Sequence, residues 1–290
     1  MVEFNPDNYQ EQNPLKQFFR QAKVYVTLPS QGMFYPEGTL DIPETGEFPV
    51  YAMTAKDELS FKTPDALLNG QATVNVIKSC VPNIKNPWLM PSIDLDAILI
   101  AIRIATYGEN MEISTKTPGS GEEKDFTVDL RQLLNKLVSA KFDNIIKLKD
   151  MKVEIRPLTY KEFTDSSLKT FEEQRIFQLV NDESIPDADK LAKFNQSFTK
   201  LTDLTVSVLT HSITKITIGD TEVTNTNHIK EFVDNTDKEF YKSLTEHLDE
   251  QRNKFQIEPI KVTATQDEIA AGAPETYEVP ITFDQSNFFA

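Results

Sequence analysis

The chain has 290 residues, 39% hydrophobic and 26% charged, with 45 acidic against 30 basic side chains and a net charge of -15. That charge excludes the Lys- and Arg-dense surface that a phosphate backbone or an anionic membrane requires, so neutral or basic proteins are the expected partners, with no nucleic acid and no membrane. A single cysteine, Cys80, excludes an intramolecular disulfide and every multi-cysteine zinc site, and the length exceeds what one hydrophobic core usually serves, which sets an expectation of two domains.

Residues 1–21 are polar, rich in Asn and Gln, and interrupted by Pro6 and Pro14. They read as an extended N-terminal arm anchored by Phe4, Phe18 and Phe19. The opening residues carry neither a basic region nor an apolar run of signal-peptide type, which points to the reducing cytoplasm. An N-terminal α+β domain is expected over residues 22–157. KVYVTL at 23–28 alternates as a strand, PSQGMFYPEGT follows as a turn-rich segment, and a second short strand covers 49–53. Thr54, with Asp57 three residues on, opens a short helix in a variant of the capping box.

The organising stretch is 66–108. Residues 73–81 form a helix with Val74, Ile77 and Val81 on one face, stopped by Pro82. Residues 94–107 carry Leu95, Ile98, Leu99, Ile100, Ile102 and Ile104 with alanines between, apolar nearly all round a helical cylinder, which is the pattern of a buried helix. At about 1.5 Å per residue it spans roughly 21 Å, short of the ~30 Å hydrocarbon layer, and it includes Asp96 and Arg103, so it is a core helix. Beyond Gly108, strands at 111–116 and 124–130 flank a turn with Pro118, Gly119 and Gly121; a helix at 129–140 shows Leu130, Leu133, Leu134 and Leu137 along one face. A hairpin at 144–156 turns at Lys149 and Asp150, and Pro157 marks the domain boundary.

A C-terminal, helix-rich α+β domain is expected over 158–290. Thr159 caps a helix with Tyr160, Phe163 and Phe171 that runs to about 181, where ESIPDAD breaks it. From Asp187, the series Leu191, Phe194, Phe198, Leu201, Leu204 and Val208 advances in steps of three and four, the narrow stripe of a helix packed in coiled-coil fashion. Two readings of it stay open, a helical hairpin within the domain and a seam with another chain. A hairpin at 212–224, helices at 227–235 and 236–255, and strands at 259–265 and 276–283 separated by QDEIAAGAPE complete the chain. The fold class expected is α+β, two domains, each with helices packed on short antiparallel β-hairpins.

Chemical motifs are sparse. His211, His228 and His247 are far apart with no metal-ligand spacing, and no nucleophile elbow or phosphate loop occurs. Asp94 with Asp96 and Glu122 with Glu123 are carboxylate pairs, which 45 acidic residues supply by chance. Cys80 ends a helix beside Val81 and reads as a small buried apolar residue. No catalytic, cofactor or metal site is therefore assigned. The paired phenylalanines at the two ends, Phe18 with Phe19 and Phe288 with Phe289, together with Phe4, are the candidate partner-binding residues.

LPSQGMFYP at 28–36, MTAKDEL at 53–59, ALLNG at 66–70, VIKSCVPNIKNPW at 76–88, DLDAILIAIRIATYG at 94–108 and FDQSNFF at 283–289 resemble the baseplate hub assembly proteins of large contractile-tailed bacteriophages. The match is dense over 28–158 and looser beyond. Members of that family often carry paired cysteines after the core helix and near the last strands; this chain has TPGSGEE and AGAPETYE there, so zinc is not carried over. The resemblance implies a non-enzymatic virion or assembly protein of the tail baseplate, acting with other baseplate and tail proteins, as a homo-oligomer within the baseplate, in the host cytoplasm during particle construction. A transient tail-assembly chaperone is the nearest alternative, and an acidic-residue hydrolase a distant one.

Overall fold

A computed structural model describes residue 15 and residues 19–61, 70–178 and 186–281. The chain opens with β1 (Ala22–Val26), paired antiparallel with β2 (Phe48–Tyr51) so that Val24 and Val26 face inward and Lys23 and Tyr25 outward. Helix α1 (Ala55–Phe61) starts at the expected capping box, in which Asp57 N–H donates to Thr54 Oγ1 and Thr54 N–H to Asp57 Oδ2. Helix α2 (Gln71–Cys80) and a 3-10 turn at Ser92–Asp94 lead into α3 (Leu95–Tyr107). Eight of its residues, including Ile98, Ile100, Ile102 and Ile104, are buried, so the all-round apolar pattern does mark the centre of the molecule.

After α3, β3 (Asn110–Lys116) and β4 (Glu123–Asp129) form a regular hairpin, and Asp129 caps α4 (Leu130–Ser139) by accepting from Arg131 N–H and Gln132 N–H. Strands β5 (Ile145–Leu148) and β6 (Met151–Ile155) turn at Lys149, whose φ of +52° the two-residue hairpin requires. Two long helices follow, α5 (Tyr160–Gln178) and α6 (Asp187–Ser212), and then β7 (Ile213–Ile218) and β8 (Thr221–Val223). Strand β7 pairs with β6, giving a four-stranded antiparallel sheet of order β5-β6-β7-β8 whose strands come from both sides of Pro157. Helices α7 (Thr226–Asn235) and α8 (Lys238–Lys254), strand β9 (Ile260–Thr263), helix α9 (Gln266–Ala270) and strand β10 (Thr276–Val279) close the described chain. The fold class is α+β, with short antiparallel sheets as expected.

Three apolar clusters organise these elements. The largest gathers β1, β2, α2, α3 and α4, and also takes Tyr160 and, from near the C-terminus, Ile257, Ile260 and Ile281. The second combines Ile146, Val153 and Ile155 of the β5–β6 hairpin with Leu209, Ile216, Ile229 and Leu244. The third seats the β9–β10 hairpin on Ile113 and Phe126 of β3–β4. There Gly119, at φ +88°, lies so close to Gly272 that a Cβ would stand 2.6 Å from the Gly272 carbonyl carbon. The two turns without cysteines therefore touch each other.

Helix α9 falls in the stretch QDEIAAGAPE, expected only to interrupt the last two strands. Its signal was available, since Thr265 and Glu268 form a full capping box. The helix expected to begin at Thr236 instead starts after Asp237, whose carboxylate accepts from Phe240 N–H. The last strand ends at Val279; the expected extension to 283 lies partly outside the described residues, as does the end of the helix expected near 181.

Ile98 and Ile102 are fully buried on α3. Replacing either with Ala is expected to destabilise the protein by about 2–5 kcal/mol, measured by circular-dichroism melts or urea unfolding. A loss under about 0.5 kcal/mol would place that face outside the core.

Candidate interaction surface

The turn-rich segment behind β1 is fastened by one carboxylate. Gln31, Gly32 and Phe34 all take positive φ, and the backbone closes through Gln31 N–H to Leu28 O and Met33 N–H to Ser30 O. This folding aims Ser30 and Tyr35 at Asp94, at the entrance to α3. Asp94 Oδ1 accepts from Ser30 N–H at 2.7 Å, and Oδ2 accepts from Ser30 Oγ–H at 2.6 Å and from Tyr35 O–H at 3.0 Å. Asp94 is fully buried, and burial pushes its carboxyl up to about 6 against the opposing pull of those hydrogen bonds. Asp96, one residue into the helix and mostly buried, is raised to about 6 by burial. Asp94 thus has both oxygens engaged in holding the turn. Glu122, in the β3–β4 turn, and Glu123, the first residue of β4, stand exposed.

The other chemical candidates are equally structural in placement. Cys80 is buried, and burial drives its thiol up to about 11, which suppresses the thiolate. His211 contacts Ser207 O at 2.7 Å on α6 and His247 contacts Asp143 O at 3.0 Å on α8, while His228 is exposed on α7. Among the described residues no group of three or more His, Cys, Asp or Glu is placed to hold a metal ion, and no helix is long and apolar enough to cross a membrane. A shallow recess of about 310 Å³ between α4 and the segment before β9, lined by Leu133, Lys136, Ile257, Glu258 and Ile281, contains an exposed Lys136–Glu258 ion pair at 2.9 Å.

Of the five phenylalanines suggested from sequence, only Phe19 lies within the described residues; it is 57% exposed. Phe4, Phe18, Phe288 and Phe289 fall outside them. The structure adds a residue the sequence reading missed. Arg20 fixes the base of the arm, donating to Ala52 O, to Ser79 O at 2.6 Å and to Ser79 Oγ at 2.8 Å, with Asp57 at 3.6 Å.

A larger surface lies on α5 and α6. Helix α5 begins on the main core, where Tyr160 stacks on Trp88 with ring centroids 5.5 Å apart, and then leaves it, so Phe163 is 42% and Phe171 57% exposed. On α6 the apolar stripe divides. Leu201, Leu204 and Val208 are half-buried, whereas Leu191 and Phe198 are each 62% exposed.

The buried acid Asp94 thus fastens one segment to another, and the long helices present phenylalanine to solvent. The family model described as T4 bacteriophage base plate protein matches residues 33–270, so the chain belongs to that family of phage baseplate proteins. Comparisons with curated proteins and with solved structures give no match. Membership associates the chain with the phage baseplate and with other baseplate proteins.

The raised carboxyls set a pH dependence. Asp94 and Asp96 titrate at about 6 in the fold, against about 3.9 for an unfolded Asp. The folded state holds these protons more tightly, so the contribution is complete below about pH 4 and is lost as pH rises through 6. The melting temperature is expected to climb as pH falls from 8 to 5, and Asp96→Asn should raise it at pH 8 while flattening that climb. Destabilisation by Asp96→Asn at pH 8 would show that the charge is compensated in the fold.

Proposed function

We propose that the chain is a non-enzymatic component of the baseplate hub, or a factor that builds it, acting through protein–protein contacts in the host cytoplasm during assembly and then residing in the tail baseplate. The observation that carries this reading is the family match across residues 33–270. The resemblance of 28–36, 53–59 and 94–108 to hub assembly proteins supports the finer assignment, and the geometry gives those motifs a physical role. Leu28–Pro36 is the turn held by Asp94, Met53–Leu59 contains the Thr54–Asp57 capping box, and Asp94–Gly108 is the buried helix with its entrance.

The same surfaces would serve a tail-assembly chaperone released before maturation. Mass spectrometry of purified particles separates the two, since only a resident component is found there. We also propose that the first two apolar clusters mark two folding units. In this division the segment from about Phe142 to Lys254 is set between the two stretches of chain, before and after it, that build the main core, to which it contributes Tyr160.

The termini remain the proposed docking segments, because short polar stretches with paired phenylalanines bury them only against a preformed groove. Arg20 belongs to the body, so the informative truncation stops short of it. Removing residues 1–18, or replacing Phe288 and Phe289 with Ala, is expected to leave the melting temperature unchanged and to abolish co-purification with other baseplate proteins. Normal co-purification would make the termini bystanders, and early melting would assign the phenylalanines to the chain's own core.

A further inference from the structure

We propose that α5 and α6 form a self-association face, and that its occupant is a second copy of this chain. The two helices run antiparallel and meet where Ser197 Oγ–H donates to Glu173 at 2.6 Å and Lys200 donates to the same carboxylate at 2.9 Å. Advancing about 100° per residue from that contact, Phe163, Ser167, Thr170, Phe171 and Gln174 fall on one side of α5. Leu191, Asn195, Phe198 and Thr202 fall on the same side of α6, and Phe194 shares it. No Asp, Glu, Lys or Arg lies on that side of either helix over this length. The opposite side carries Lys169 and Glu172 on α5 and Lys193, Lys200 and Asp203 on α6. The helical pair is therefore a two-sided layer, one side charged and the other neutral with large apolar groups.

The neutral side continues a surface the molecule already buries. Leu209 lies eighteen residues, or about five turns, beyond Leu191 and so at the same angle around α6. Leu209 is 4% exposed in the second apolar cluster, whereas Leu191 is 62% exposed. Among the described residues the outer half of the stripe is a core face without its cover.

Charge selects the cover. The chain carries -15, so two copies repel over most of their surfaces, and a basic partner is drawn to those acidic surfaces. The neutral side of α5 and α6 is where a second copy approaches with no like charge opposed, and a two-fold axis through it matches each apolar group with its equivalent while turning the charged sides outward. The size is adequate. Phe163, Phe171, Leu191 and Phe198 together leave about 400 Å² open per copy, taking 150–250 Å² for a whole aromatic side chain. Doubled and joined by the neutral neighbours, this reaches the ~1,000–1,200 Å² of a small specific interface. The stripe's two sequence readings then both hold, over different lengths of one helix.

Light scattering coupled to size exclusion on the full chain, from micromolar to hundreds of micromolar, tests this independently of the baseplate reading. The expected result is a concentration-dependent dimer, reduced to monomer in the Phe171→Ser, Phe198→Ser double variant with an unchanged melting temperature at monomer concentration. As a second measurement, Leu191→Cys supplies a thiol far more accessible than buried Cys80, and its maleimide labelling should slow as concentration rises. A wild type that stays monomeric overturns the proposal, leaving the face to a segment of the chain itself or to another protein. So does a dimer that survives the double variant, a double variant that melts early because the phenylalanines belong to the monomer's core, or labelling that ignores concentration.

Discussion

Asp94 is the interaction on which the main core depends. A carboxylate this buried is costly unless its oxygens are satisfied, and here three donors from the single turn Leu28–Pro36 supply the satisfaction. The cost explains why the turn accepts left-handed backbone at Gln31 and Phe34, neither of which is glycine: the strain aims Ser30 and Tyr35 at the helix entrance. In return the turn fixes where α3 begins, and α3 in turn is the surface against which β1, β2, α2 and α4 pack.

The same device recurs at other helix starts. Asp57, Glu162 and Glu268 each close a capping box on their own helix and also hold a basic residue from elsewhere: Arg20, Arg156 and Lys124 respectively. For Glu162, burial pushes the carboxyl up, but the Arg156 fork and the Thr159 bonds outweigh it and bring the group down to about 2. Part of the acidic excess is therefore spent on stitching. The Thr-x-x-Asp/Glu half of each stitch is local and legible in sequence, and Arg156 is near Glu162 in the chain, whereas Arg20 and Lys124 are brought to Asp57 and Glu268 by tertiary packing and are not legible there.

That distinction describes how the sequence spoke generally. Helix α3 was legible because apolar residues all round a cylinder have one structural meaning, and the β3–β4 and β7–β8 hairpins were legible because Gly119, Gly121 and Gly219 punctuate them. What local patterning could not report was which elements meet. The pairing of β6 with β7 across Pro157, the return of β9 and β10 to β3 and β4, and the contact of Gly119 with Gly272 all join residues 58 or more apart in sequence. The interaction surface was half legible. The spacing of Leu191 to Val208 identified the stripe, but only the position of α7 and β7 over its inner end shows which part remains open.

The buried Asp94 carboxylate couples the turn to the core helix. A double-mutant cycle by urea unfolding, using Asp94→Ala, Tyr35→Phe and the double variant, measures that coupling directly. Asp94→Ala leaves Ser30 N–H, Ser30 Oγ–H and Tyr35 O–H without their acceptor and is expected to cost about 3–5 kcal/mol, with roughly 1 kcal/mol or more of coupling to Tyr35. An Asp94→Ala loss below about 0.5 kcal/mol, or additive effects of the two substitutions, would contradict it.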